Sequence, residues 1–304
     1  MNINNKNKKK YTILIGLGLV ACFFYSCGNS ASTEQKSIDV TNTDTVKALG
    51  LNVGGELFSI PSPMQTALLI QKLGIAYDIS ILNQKNNTEQ YVSEYSKALN
   101  LGIYGADLGY ISMYSQTQDA FAFLGKVKNL ADKIGVAEAF DQKTMERINN
   151  NISNKDSILV LVGVAYRASD SYLKTNKRPE ISTLILVGGW IESMHFSIAA
   201  YRTKNTDALK YRIADQKQAV TSIIKLISSH NLPEAKLLLA DLIVLSKVYD
   251  GVISKYKFID QTTDAVSKTT YINSNNEIEI TDIQIEQIEK KIASIRNKII
   301  SLKS

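Results

Sequence analysis

Apolar positions change their spacing several times along this chain, and each change marks a different kind of element. Tyr11–Tyr25, YTILIGLGLVACFFY, is a nearly unbroken apolar run behind Lys6, Lys8, Lys9 and Lys10. GNSASTEQKS then has no apolar residue larger than Ala until Ile38. LNVGGELFSIPSP, 51–63, reads as two short extended pieces around Gly54-Gly55, a hairpin turn closed by Pro61 and Pro63. From Met64 to about residue 256 the apolar residues recur at three and four, the period of helices with one buried face.

The helices have recognisable ends. Ser62 caps the first and Pro63 takes its first position, where a missing N–H costs nothing. MQTALLIQKLGIAYDISILN predicts helix from Met64 to Asn83, and a second helix opens near Thr88 and runs to Tyr114, with a weak point at Asn100–Gly102. A third carries the stripe Phe121, Leu124, Val127, Leu130, Ala131 and Ile134, closed by Gly135. A short one follows Asp141. NKDSILVLVGVAYRASDSYLK and ISTLILVGGWIESMHFSIAAY are apolar nearly all round, which places both in the middle of the body. TDALKYRIADQKQAVTSIIKLISSH and PEAKLLLADLIVLSKVYDGVISKY read as one helix each.

Near 260 the period shortens, and KTTYINSNNEIEIT predicts a hairpin over 268–280 turning at Asn275-Asn276. The last helix starts at a Thr281–Gln284 capping box. Ile285, Ile288, Ile292, Ile295, Ile299 and Leu302 form a heptad seam along it. That seam either closes the bundle or pairs the 281–303 helix with another subunit. The expected fold is all-α: a multi-helix bundle or helical-hairpin array, with minor β-hairpins near 51–61 and 268–280. Tetratricopeptide repeats are not supported, because no 34-residue period emerges.

The leader sets the location. A lysine-rich start, a short apolar core and a small residue before a break make a secretory signal peptide. The apolar run is too short for a comfortable transmembrane span. FYSCGN, Phe24–Asn29, resembles a bacterial lipobox, with Ser26 in the small position and Cys27 as the lipidated residue. LVAC, Leu19–Cys22, also fits the box, but cleavage there leaves Phe23, Phe24 and Tyr25 on the mature chain. Cys27 is therefore preferred and Cys22 is the alternative. The layout from lipobox to C-terminus resembles the uncharacterised all-helical lipoproteins of Gram-negative bacteria. The resemblance implies a lipid-anchored envelope protein, and Gly28 after the cysteine points to the outer membrane. The expected domains are a signal peptide over 1–26, a flexible tether over 27–50 and one helical domain over 51–304.

Charge then needs correcting. Without the four leader lysines, 31 basic residues face 29 acidic ones. A near-neutral body offers no electrostatic footprint for nucleic acid. With Cys22 removed and Cys27 capped, no thiol remains for redox or metal chemistry.

Candidate chemistry is sparse. Glu192 and His195 stand three apart, as in one half of a di-iron site, but Ile227 occupies the matching position before His230. Two lone histidines do not make a zinc site either. No G-x-S-x-G elbow or phosphate loop is present, so no catalytic residue, metal or cofactor is assigned. The constellation that remains is a pocket around Trp190, lined by Tyr166 and Arg167, with Glu192 and His195 as polar handles. Gly163, Gly188 and Gly189 interrupt the two helices that carry it, and Gly105 and Gly109 another; close helix packing is the first reading of each. The functional expectation is an envelope interaction or scaffold module. The alternatives are a small-molecule binder with a pocket around Trp190 and an enzyme of unidentified class.

Overall fold

Two helices that bury residues on every side form the centre of this protein. In a computed structural model, the described residues are 49–53, 56–60, 62–83, 87–140, 142–151, 154–258, 260–264, 269–271 and 274–302. All belong to one unit spanning Val40–Ser304. The expected signal peptide, Cys22, Cys27, Asp141 and the expected tether as far as residue 48 lie outside the described residues.

The central helices are α2 (Glu94–Met113) and α6 (Pro179–Thr203); 16 of the 20 residues of α2 and 18 of the 25 of α6 are buried. α6 is long and apolar enough to cross a membrane by length and composition, yet protein surrounds it. Around this pair stand α1 (Pro63–Lys72), α3 (Thr117–Lys133), α4 (Gln142–Asn151), α5 (Lys155–Thr175), α7 (Asp207–Ala214), α8 (Lys217–His230), α9 (Lys236–Asp250) and α10 (Asp282–Ile300). The fold is mainly all-α with minor β, as the spacing predicts.

α2 and α6 touch backbone to backbone. A Cβ added at Gly188 would collide with the Leu99 carbonyl oxygen, and one added at Gly102 with that of Ile185. Close packing therefore explains Gly188, and its counterpart Gly102 sits in an unbroken helix where a weak point was expected. Gly109 abuts Met64 Sδ.

The predicted first helix is too long. α1 ends at Lys72, Gly74 takes φ +72°, and residues 75–83 form a strap. Side chains satisfy its backbone: Tyr114 OH donates to Ile75 O (2.6 Å), Asp78 N donates to Tyr110 OH (3.1 Å), and Asn83 N donates to Asp107 Oδ2 (3.3 Å). Local spacing cannot reveal partners supplied from α2. The expected 206–230 helix is two, α7 and α8, broken at Asp215–Gln216, where the Gln216 amide donates to Arg212 O and Asp215 Oδ1. α9 stops at Asp250, and the β-branched stretch after it is strand rather than helix.

β1 (Leu49–Val53) and β2 (Glu56–Ile60) form the expected first hairpin, starting two residues earlier than the tether boundary allowed. The second β region pairs differently from expectation. β3 (Ile253–Phe258) pairs with β6 (Ser274–Glu279), and β4 (Thr262–Asp264) with β5 (Thr269–Tyr271). Asn275 and Asn276 therefore lie within β6, facing Lys257 and Tyr256, and form no turn. A longer nested ladder wins over a local hairpin because it satisfies more backbone groups.

α10 begins at the predicted capping box. Its seam residues Ile285, Ile288, Ile292, Ile295 and Ile299 are buried within this chain. The face offered for self-association is thus spent on closing the bundle against α6 and α9.

Candidate functional site

The residues singled out along α5 and α6 do not converge on one place. Successive α6 residues point 100° apart, and three of its directions meet three environments.

One direction meets a cavity of about 410 Å³ among α2, α3, α4, α5 and α6. Leu124, Val127 and Ala131 project from one stripe of α3, and Ile185, Leu186 and Gly189 from α6. Gly105 lines it from α2, and a Cβ added there would meet nothing within 4 Å. The walls are overwhelmingly apolar. Lys128 and Asp132, both exposed, stand at the rim. Tyr166 lines the cavity from α5, and its hydroxyl is buried without a hydrogen-bond partner among the described residues. Burial pushes the phenol upward, and Asp170 adds to the shift, so the hydroxyl stays neutral. Its neighbour Arg167 is exposed and does not line the cavity.

A second direction holds Trp190. The ring is buried, and its Nε1 donates to Gln216 Oε1 (3.0 Å) at the α7–α8 break. This tryptophan fills core and does not line the cavity.

The third direction carries a buried charge lock. Arg296 of α10 donates from Nε to Glu192 Oε2 (2.5 Å) and from Nη2 to Glu192 Oε1 (2.7 Å), a two-pronged ion pair. Arg296 Nη2 also donates to Ile81 O in the strap (3.1 Å). His195 Nε2 reaches the same carbonyl at 3.1 Å. A carbonyl only accepts, so Nε2 carries the imidazole proton. Burial holds His195 below the usual imidazole range, against the pull of Glu192. Asp107 completes the cluster from α2. Burial first, and the Glu192 carboxylate second, raise it well above the usual carboxylate range. As a neutral acid Asp107 can donate to Glu192; as an acceptor alone its Oδ1 would stay unbonded.

This lock ties α2, α6, α10 and the strap together. Neither Asp107, Glu192, His195 nor Arg296 lines the cavity. Among the described residues, no three His, Cys, Asp or Glu side chains are grouped to hold a metal ion. The C-terminal end of α10 joins the same system: Asn100 Nδ2 donates to Ile299 O (3.1 Å) and Tyr91 OH to Ile300 O (3.3 Å), satisfying carbonyls that a helix end leaves orphaned.

Spacing alone did not find Asp107 or Arg296, and it read Gly105 as close helix packing, which the open space beside that residue contradicts; each left a trace. Asp107 is the one charged residue of α2 after Lys97. Arg296 falls four after Ile292 and three before Ile299, on the seam itself. Gly105 sits one turn from Gly102 and Gly109 but is the one of the three with open space beside it.

No family model, curated protein or solved structure matches this chain.

Proposed function

We propose that this protein is a lipid-anchored envelope protein whose helical body binds a small apolar molecule. The cavity among α2, α3, α5 and α6 carries the reading. Close-packed interiors hold few voids larger than a water molecule. A space of about 410 Å³ with nearly all-apolar walls has the size and lining of a small-molecule site. The pocket is thus lined by Tyr166 and Gly189 but not by Trp190. The anchor rests on the lipobox resemblance at Cys27, and a mature chain that mass spectrometry finds with no fatty acyl groups would remove it.

Gly105→Phe tests the cavity. The new ring enters space that is open beside Gly105 and should leave the helical circular dichroism intact. The wild-type chain should bind the neutral probe N-phenyl-1-naphthylamine saturably, and the variant at least about tenfold more weakly. Equal probe affinity in both chains would refute the assignment.

An interaction role for the α9 surface is the second reading. Leu237 is 80% exposed, and Ile243 and Val244 are exposed near it on the same helix. Paired lysines at 237 and 244 should abolish any partner recovered by cross-linking. Recovery of the same partner with both lysines present would dismiss this role.

A further inference from the structure

We propose that the ligand is a small amphiphile, with its apolar chain inside the cavity and its polar head at the rim beside Lys128 and Asp132. This rests on the cavity reading given above.

The inner wall offers a ligand little to hydrogen-bond. Its polar side chains are Ser62, Tyr166 and Ser169, with Lys128 and Asp132 at the edge. Ser169 Oγ donates to Ala165 O (2.9 Å), and Ser62 Oγ accepts from Met64 N (3.3 Å) as the cap of α1. The Tyr166 hydroxyl has no accessible surface, and its neighbours Ser182 and Asp170 lie outside the lining. Tyr166 therefore gives the cavity its ring and not its hydroxyl. A polar group of the ligand carried inside would lose its water and gain little in its place.

The rim is different. Lys128 and Asp132 are exposed, stand one turn apart on α3, and have no ion-pair partner among the described residues. Val127 and Ala131, the residues just before them in the chain, belong to the apolar wall. α3 thus sets a charged stripe beside an apolar one, and the boundary between them lies at the mouth. A molecule with an apolar chain and a hydrated head fits that boundary. A compact polar molecule fits neither side of it. One cation and one anion at the rim accept a head of either sign.

The test is displacement of N-phenyl-1-naphthylamine from the purified full chain. Dioleoylphosphatidylcholine vesicles replace detergent, which is itself an amphiphile, and the Gly105→Phe chain serves as the blank. The competitors are decanoate, decan-1-ol and decyltrimethylammonium. Each is compared with itself on the wild-type and Lys128→Glu chains, so its partition into lipid cancels. Reversing this exposed charge should weaken decanoate and strengthen decyltrimethylammonium, each by about two- to fivefold, and leave decan-1-ol unchanged. On the wild-type chain, decane-1,10-diol should compete at least about tenfold less well than decan-1-ol at equal free concentration, because its far hydroxyl must be buried. Equal shifts for all three heads, or no shift for either charged one, would overturn the placement of the head. A diol as potent as decan-1-ol would overturn the burial of the chain. A wild-type probe signal no larger than the Gly105→Phe blank would remove the cavity reading itself.

Discussion

The two flanks of α6 are built from opposite chemistry. On one, Glu192 is fully buried and its carboxylate is met by two donors of Arg296, with Asp107 and His195 beside it. On the other, apolar side chains and glycines surround open space. Residues that look most chemical in the sequence lie on the first flank, where satisfied polar groups fix one packing arrangement. The second flank, built of residues that look like ordinary core, has the room for a ligand. Titratable side chains thus mark the scaffold here, and the missing side chain of Gly105 marks the cavity.

The largest effect should come from the contact that holds the flanks together. Gly188→Ala places a methyl against the Leu99 carbonyl, which belongs to a helix backbone and cannot turn away. It should cost at least about 4 kcal/mol and abolish cooperative thermal unfolding. The contrasting Gly105→Ala faces open space and should gain up to about 1 kcal/mol from helix propensity. If both substitutions behaved alike in a melt, the distinction between the contact glycine and the cavity glycine would fail.

Breaking the lock comes next. Arg296→Met strands Glu192 and should destabilise the body by about 3–5 kcal/mol in urea titration. Glu192→Leu combined with Arg296→Met should recover most of that loss, because the isolated buried charge is gone. Probe binding in the cavity should be unaltered in the folded double variant. A change there would show that the two flanks are coupled.

The smallest effect is a pH dependence. His195 is held below its unfolded value, so its neutral form favours folding. That contribution is present above about pH 6.5 and is lost as pH falls toward the lowered folded value. His195→Gln keeps a donor for Ile81 O and removes the titration. Its stability between pH 7 and pH 5 should fall less steeply than that of the wild type. Parallel curves for the two chains would remove His195 from the account. Asp107 works in the other sense: its raised value favours folding at acid pH, and the benefit fades as pH climbs from the ordinary carboxylate range toward that value.

Much of this architecture is legible from residue spacing. The all-round apolar character of α6, Pro63 and Pro179 at helix starts, Gly135 at a helix end and the capping box at Thr281 all hold. Expectation failed where distant side chains complete the backbone. The 75–83 strap carries helical spacing but draws its hydrogen bonds from α2, α6 and α10. Part of the α3 stripe also failed, since Phe121 at its N-terminal end is half exposed. Of the five residues grouped in the expected pocket, Tyr166 reaches the cavity, while Arg167 faces solvent and the other three point elsewhere.

Helical period, caps and breakers act over a few residues, so the chain by itself determined that it is helical and largely where its helices start. Whether a buried acid meets an arginine or a substrate depends on groups far away in sequence: Glu192 and Arg296 are 104 residues apart. Tertiary packing alone decided that α2 approaches α6 closely enough to exclude a methyl group at Gly188, yet leaves room for one at Gly105.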